Sequence, residues 1–594
     1  SSDPAITNGN PCYDFSGAQF TFKDSAGSSV GTVTANSTGD TNSIELPVGT
    51  YKVYETKLPT NGSYGCPHGN ASLNGHECYV GDVAVSPQQT ASLTVADKPL
   101  NDPIAVVLHK ADPGLGAGEL SGDLPALAGA KYRINYYAQN NVGGSNDLDA
   151  SKLKASAVFV TNDRGMLKFA LGTTVDGTVW PFKDQTGMNL MPVGTYTIQE
   201  TWAPEGYLVS DQLLIATVVP DINNPAGFRV EKIGDWSQWQ TNDADESWAA
   251  ANEPVMKGGV TVYKYDKDLK SMQAQGDATL VGAKIAVVNE SKNPVTVKGQ
   301  NYDVGEVCDV ITTQLTSSNG QPVVFATTGD KVLPYGSYSL HEIDPSTGYL
   351  KNDGWNTGVF EIHQDGMMKK FDDYGSGLVE PVKRGGLAVG KVDNETGEYT
   401  PLGDTTLANT KFAIKTLSEQ PVSVKHEDGT QTVYHKGDIV DIITTQKYEK
   451  DGKEVYIAKT LIDALPYGTY QVYEVEPPTG YLPTGQSIWS ETFTIRDDGV
   501  YNTDVCYSYS EHLDQMSDAA NVADFSDNKV RETAHANKNQ VYRSDFSFNK
   551  ISDDQERMAN IPFLITSSRG EKHVVVTDEN GLFDSKSEWY SHEA

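Results

Sequence analysis

The chain has 594 residues, with 46 Lys and Arg against 79 Asp and Glu and a formal net charge of −33. That length divides into several domains of ~100–150 residues each, and so acidic a surface repels phosphate backbones, which excludes nucleic-acid binding. No apolar run approaches the ~20 residues of a membrane-spanning helix, and the Gly-, Thr-, Val- and Tyr-rich composition predicts β-rich modules. Ser1 is not a start methionine, so the chain is expected to be a processed or trimmed piece of something longer.

Residues 1–102 form the first predicted unit. Its clearest element is "VGTYKVYETKLPTNGSY" from Val48, an alternating strand that runs into a Pro/Gly turn. Tyr51, Val53 and Glu55 share one face, which sets a carboxylate among apolar side chains. Asp97 follows in "VADKPL", and no lysine precedes "SGAQFTF". Of Cys12, Cys66 and Cys78, the last two bracket a short Gly/Asn/His-rich loop and are the first choice for a disulfide. A zinc site with His68 or His76 lacks paired CxxC spacing, so no metal and no cofactor is expected.

The second unit, 103–256, opens with "IAVVLHK", whose Ile104, Val106, Leu108 and Lys110 share a face, and continues to "VGTYTIQETWAPEGY", with Glu200 in the slot of Glu55. Trp236 and Trp239 stand among polar residues in a predicted loop, "GDWSQWQTNDADESW", as candidate ligand aromatics. The unit closes with "AANEPVMKGGV", which carries Asn252.

The third unit, 257–384, repeats the order with Lys264 in "VTVYK" and Glu342 in "YGSYSLHEIDPSTGY". Aligning Glu-Pro-Val of "GLVEPVKRGGL" with the second unit puts Val379 where Asn252 stands. The fourth, 385–532, has Lys391 in "LAVGK", Glu474 in "YGTYQVYEVEPPTGY" and Asn528 in "FSDNKV". Its "KGDIVDIITTQ" matches "VGEVCDVITTQ" of the third and aligns Cys308 with Val440, so Cys308 reads as an inert buried thiol. The fifth, 533–594, begins with "FSFNK" and Lys550, and the chain stops before a Glu strand.

A buried, unpaired charge costs several kcal/mol or more, so a glutamate placed four times on an apolar face needs a partner. Were the first, Glu and last strands neighbours in a sandwich, Lys110, Glu200 and Asn252 would converge, as would Lys391, Glu474 and Asn528. Desolvation lowers the pKa of a lysine and raises that of a glutamate. A neutral amine can then attack the carboxamide while the acid stabilises the intermediate and carries a proton to departing ammonia, leaving a Lys-to-Asn isopeptide bond. The competing reading is a buried ion pair with Asn as a hydrogen-bonding neighbour. For the third unit, with Val379 in the acceptor place, an uncrosslinked Lys264–Glu342 pair is predicted.

The stretches "LAGAKYRI", "VGTYTIQETWAPEGY", "NEPVMKGGV" and "NIPFLITSSRGEKHVVVTDENG" resemble the Cna B-type, SpaA-like repeat domains of Gram-positive surface adhesins and pilins, over about four and a half repeats. The resemblance implies an all-β fold of tandem transthyretin-like or Ig-like Greek-key β-sandwiches with spontaneous isopeptide bonds. It also implies a secreted, cell-wall-attached stalk that holds a binding domain away from the cell. Attachment would run through a missing C-terminal region, since "LPTNG" and "LPTGQ" depart from the sortase signal Leu-Pro-x-Thr-Gly. Without a pilin polymerisation motif, a monomeric stalk is expected rather than a pilus backbone, and the host ligand is unspecified. A glycan- or host-protein-binding module is the alternative. A hydrolase has no support, because neither GxSxG nor HExxH occurs.

Overall fold

The computed structural model describes the chain apart from residues 69–72, 74, 103–106, 113–115, 118–119, 126–127, 222–227, 235–238, 242–247, 253, 451–452, 506–535, 571 and 588–594. It is an all-β molecule with only two four-residue α-helices among the described residues, Pro4–Thr7 and Gly485–Ile488. None of its helices is long and apolar enough to cross a membrane.

The third and fourth units share one plan. In the third, one sheet runs Val307–Thr312, Lys284–Asn289, Gly336–Asp344, Phe360–Ile362. Against it lies the lysine strand Lys257–Asp266, paired with the hairpin strand Gln321–Thr327 and, in parallel, with Met368–Phe371 and then Leu378–Glu380. The fourth repeats this with Ile439–Thr444, Lys411–Thr416, Gly468–Glu476 and Ser490–Ile495 facing the lysine strand Arg384–Asp393, which pairs in parallel with Tyr501–Asn502 and Asn537–Asn539; that last strand lies past the expected boundary at 532 and packs with the fourth unit, not the fifth. Val260 and Val262 meet Ile285, Val287, Tyr338 and Leu340 in one core. Leu387 and Val389 meet Phe412, Ile414, Tyr470 and Val472 in the other.

Simple alternation fails in the lysine strands, since all ten residues of Arg384–Asp393 are buried. The strand is covered on both faces: Ala388 and Val392 belong to a second small core with Tyr456 and Tyr481. A strand buried on two sides reads as a continuous apolar run.

The second unit has a six-stranded sheet centred on Lys131–Tyr137 and Gly194–Trp202, opposed by a sheet in which Val107–Asp112 lies between Met166–Lys168 and Trp248–Asn252. The first unit has the order Ser29–Thr34, Gln19–Lys23, Gly49–Lys57, Cys78–Val85. Cys66 and Cys78 are disulfide-bonded, with Cα atoms 6.3 Å apart. The described part of the fifth unit is two strand pairs, Ser547–Asn549 with Leu582–Asp584 and Pro562–Thr566 with Lys572–Val576.

The Glu strands are fixed alike in the first four units. The tyrosine donates its hydroxyl proton to a proline carbonyl four residues back, Tyr51 to Pro47, Tyr196 to Pro192, Tyr338 to Pro334 and Tyr470 to Pro466. Counting on by alternation from these tyrosines brings Glu55, Glu200, Glu342 and Glu474 inward, and all four are buried.

Candidate functional site: buried lysine, glutamate and acceptor clusters

In the fourth unit, Lys391 is fully buried, and its Nζ donates to Asn539 Oδ1 at 2.6 Å. Asn539 Nδ2 donates to Glu474 Oε1 at 3.1 Å and to Leu482 O at 2.8 Å. Glu474 Oε1 also accepts from Thr484 N at 2.9 Å, which orients the carboxyl from the turn beyond its strand. Burial brings the Lys391 amine down to about 7, against the opposing pull of Glu474 and Asp393. Near neutrality a large fraction of this amine is therefore uncharged and nucleophilic.

Asn528, the expected acceptor, lies outside the described residues, and the carboxamide that meets Lys391 and Glu474 is that of Asn539. Register explains the position: Asn537 stands opposite Lys391 and Asn539 opposite Asp393, two residues further along a parallel pair. A two-residue step restores the same face of the sheet.

The third unit applies the same register to a different side chain. Leu378 stands opposite Lys264, Val379 opposite Tyr265 and Glu380 opposite Asp266. The acceptor place thus belongs to Glu380, and Val379, of the other parity, is half-buried. Lys264 forms its ion pair with Glu380 Oε2 at 2.6 Å and also donates to Ser346 Oγ, so the expected direct Lys264–Glu342 pair is corrected to Lys264–Glu380. Glu342 accepts from Asn352 N at 2.7 Å through Oε2 and hydrogen-bonds Glu380. Two carboxyls in contact share a proton, and Glu380 is pushed up to about 9, mainly by burial and then by Glu342. Burial lowers the pKa of Lys264, with Glu380 opposing.

In the second unit, Glu200 is buried and accepts from Ser210 N at 2.8 Å, the ten-residue reach seen for Glu342 and Glu474. The Lys110 and Asn252 strands pair in parallel, but Ala251 stands opposite Lys110 and Asn252 opposite Ala111. Asn252 is thus one register position from the lysine's partner, where the other units place the acceptor two positions on. Glu253, next in the sequence, lies outside the described residues. The side chains of Lys110 and Asn252, and with them the expected convergence on Glu200, lie outside what the structure describes. Trp239 lies in the strand Trp239–Thr241, paired with Ala251, rather than in the expected loop, and Trp236 lies outside the described residues.

The first unit has the two acids without a described lysine. Glu55 and Asp97 are buried, and neither Glu55 oxygen nor Asp97 Oδ1 has a hydrogen-bond partner among the described residues. Burial, then Asp97, pushes Glu55 up to about 8, and burial pushes Asp97 to about 6.

Sequence reasoning missed Asn539 and Glu380, yet a signal existed. Glu253, Glu380 and Asn539 each precede by eleven residues the lysine of the following unit, Lys264, Lys391 and Lys550. Each also stands two residues before a valine bridged to the tyrosine that ends the Glu turn: Val255 to Tyr207, Val382 to Tyr349 and Val541 to Tyr481. Asp97 obeys the same rule through Pro99 and Tyr64. Cys308 is buried beside Val287 O, and its thiol is raised to about 12, chiefly by burial. Among the described residues no group of three or more His, Cys, Asp or Glu could hold a metal ion.

Residues 12–63, which span three strands of the first unit's sheet, match the family model SpaA, a prealbumin-like fold domain. No curated protein matches the chain. Among solved structures, the TIE protein of Bacillus anthracis is 16% identical over 82% of this chain and 67% of its own, with a TM-score of 0.32. A streptococcal ancillary pilin is 18% identical over 74% and 98%, with a TM-score of 0.18. BcpA, the major pilin subunit of Bacillus cereus, is 14% identical over 66% and 93%, with a TM-score of 0.18.

Proposed function

We propose that this chain is a structural or adhesive stalk of the pilin and adhesin class, secreted and displayed on a Gram-positive cell surface. Its only chemistry is a self-crosslink in the fourth unit between Lys391 and Asn539. The observation that carries the reading is the 2.6 Å approach of Lys391 Nζ to Asn539 Oδ1, with Glu474 on the same carboxamide. The neutral amine attacks Asn539 Cγ, forming a C–N bond. Glu474 relays the proton lost by the amine to Nδ2 along the existing hydrogen bond, and the C–Nδ2 bond breaks to release ammonia. Burial holds the reactants together and supplies the effective concentration a carboxamide electrophile needs.

The third unit contains the same lysine and glutamate with a carboxylate acceptor, and an ion pair takes the place of the bond. Glu253 stands eleven residues before Lys264 as Glu380 does before Lys391, and by that spacing the second unit is assigned an acid in the same place. One crosslink is therefore expected in the chain. Intact mass of the purified protein tests this: a deficit of one ammonia, mapped by digestion to Lys391 and Asn539 and absent in Lys391→Ala and Glu474→Gln. A full sequence mass would reject the reading, and a second deficit would reject the assignment of Glu253 and Glu380.

A further inference from the structure

A second repeated constellation lies at the ends of the units. Gly122-Asp123, Gly276-Asp277 and Gly403-Asp404 occupy the same turn in units two, three and four, with glycine φ angles of +58°, +56° and +58°. In the first two cases the turn receives the start of the glutamate strand of the next unit, together with a loop of that unit. Gly122 N donates to Pro294 O at 2.9 Å, Asn293 N to Gly122 O at 3.1 Å and Asp123 N to Tyr335 O at 3.4 Å. Gly276 N donates to Pro421 O at 3.0 Å and Asp277 N to Tyr467 O at 3.1 Å.

The aspartates complete the contact. Asp123 accepts from Lys292 N at 3.0 Å and from Ser337 Oγ, two residues after Tyr335. Asp277 accepts from Thr469 Oγ1 at 2.6 Å, two residues after Tyr467, and from Arg496 at 2.9 Å. Tyr335 packs with Leu124, Ala203, Tyr207 and Val255 of the preceding unit and stacks on His363 at 4.2 Å. Tyr467 packs against the cluster of Ala278, Leu280, Tyr349 and Val382, with the Arg496 guanidinium 4.5 Å from its ring centroid. No side chain fits at the glycines: a Cβ would stand 2.1 Å from Tyr335 O at Gly122 and 2.1 Å from Tyr467 O at Gly276.

We propose that this Gly-Asp turn is a docking socket for the start of the next unit's glutamate strand, Tyr-Gly-Ser/Thr-Tyr, and that two filled sockets lock units two, three and four into one rigid rod. Domains joined by a small polar interface move relative to one another by default. Here backbone hydrogen bonds, a buried tyrosine and a carboxylate converge within one turn, so bending at the joint must break them together. The fourth unit presents the same socket, where the fifth meets it through its loop: Ser568 donates to Asp404, and Arg569 donates to Pro401 O at 2.8 Å and Thr405 O at 3.1 Å. A Cβ at Gly403 would meet nothing within 4 Å. The rod is independent of the proposed crosslink, because Gly276, Asp277 and Tyr467 are not among the hydrogen-bond partners of Lys391, Glu474 and Asn539.

The test is the distance distribution between spin labels on the full chain, at the exposed positions Val304 in unit three and Val433 in unit four, with Cys506 replaced by serine. The unmodified joint gives one narrow distance, and Gly276→Ala and Asp277→Ala each broaden it about twofold or more, towards the free motion of unlocked domains. Gly403→Ala imposes the same left-handed backbone strain at a socket where the new methyl meets nothing, and it leaves the distribution unchanged. Hydrogen exchange gives a second readout, with the Gly276 and Asp277 amides protected in the parent and released in Asp277→Ala while the core amides of both units stay protected. A broad distribution in the parent, or no broadening in Asp277→Ala, overturns the proposal.

Discussion

At the scale of single residues, one acceptor position separates three chemistries. Asn539 presents a carboxamide that can lose ammonia, Glu380 presents a carboxylate that holds Lys264 as an ion, and Asp97 stands beside Glu55 with the chain's N-terminal ammonium, not a lysine, as the charge that lowers its pKa. Glu380→Ala should destabilise the third unit by about 3–5 kcal/mol in urea melts, because it strands a buried ammonium. Glu380→Asn should instead yield an additional ammonia deficit in the intact mass, and its absence would mean that the side chain alone does not decide the outcome. The first unit gives a pH prediction. Glu55 and Asp97 are raised to about 8 and about 6, whereas unfolded carboxyls titrate near 4. The folded state thus binds protons more tightly. The protonated pair contributes its full stability below about pH 4, and that contribution is lost as pH rises through about 6 to 8. Thermal melts of the first unit should show a lower Tm at pH 9 than at pH 5.

At the scale of elements, the glutamate strands were legible because their alternation, tyrosine and Pro/Gly turn are local, and the four glutamates are buried as alternation requires. The acceptor strands were not. Asn537–Asn539 has three residues, too short for periodicity to speak, and its register with Arg384–Asp393 bridges nearly 150 residues of chain. An asparagine close to the next repeat drew attention to Asn252 and Asn528, while the position itself is set by a parallel pairing and by the tyrosine–valine bridge beyond it. The Gly-Gly pairs that open the lysine strands are an element-scale requirement too. A Cβ at Gly259 would lie 1.9 Å from Gly329 O, so Gly259→Ala should cost the third unit about 3 kcal/mol or more as an overpacked contact, measured by denaturant unfolding.

At the scale of the whole molecule, the proposed Lys391–Asn539 tie would change how the chain answers load. It would join residues 148 apart in sequence and so remove the chain between them from the length that tension can release. At ~3.4 Å per extended residue this is about 500 Å. Single-molecule stretching should therefore show no extension from that segment in the parent, and a new step of about that length in Lys391→Ala. The third unit, held by an ion pair, should unfold in both proteins.

By itself the sequence determined the all-β class, the repeated lysine and glutamate strands, the buried character of Cys308 and the pair of cysteines that bracket one loop, because each depends on alternation, composition or nearby spacing. Only the tertiary structure decided which side chain faces Lys264 and Lys391 and how successive units grip one another. Those outcomes depend on the register of strands far apart in sequence, where a shift of one residue exchanges the inner face of a sheet for the outer.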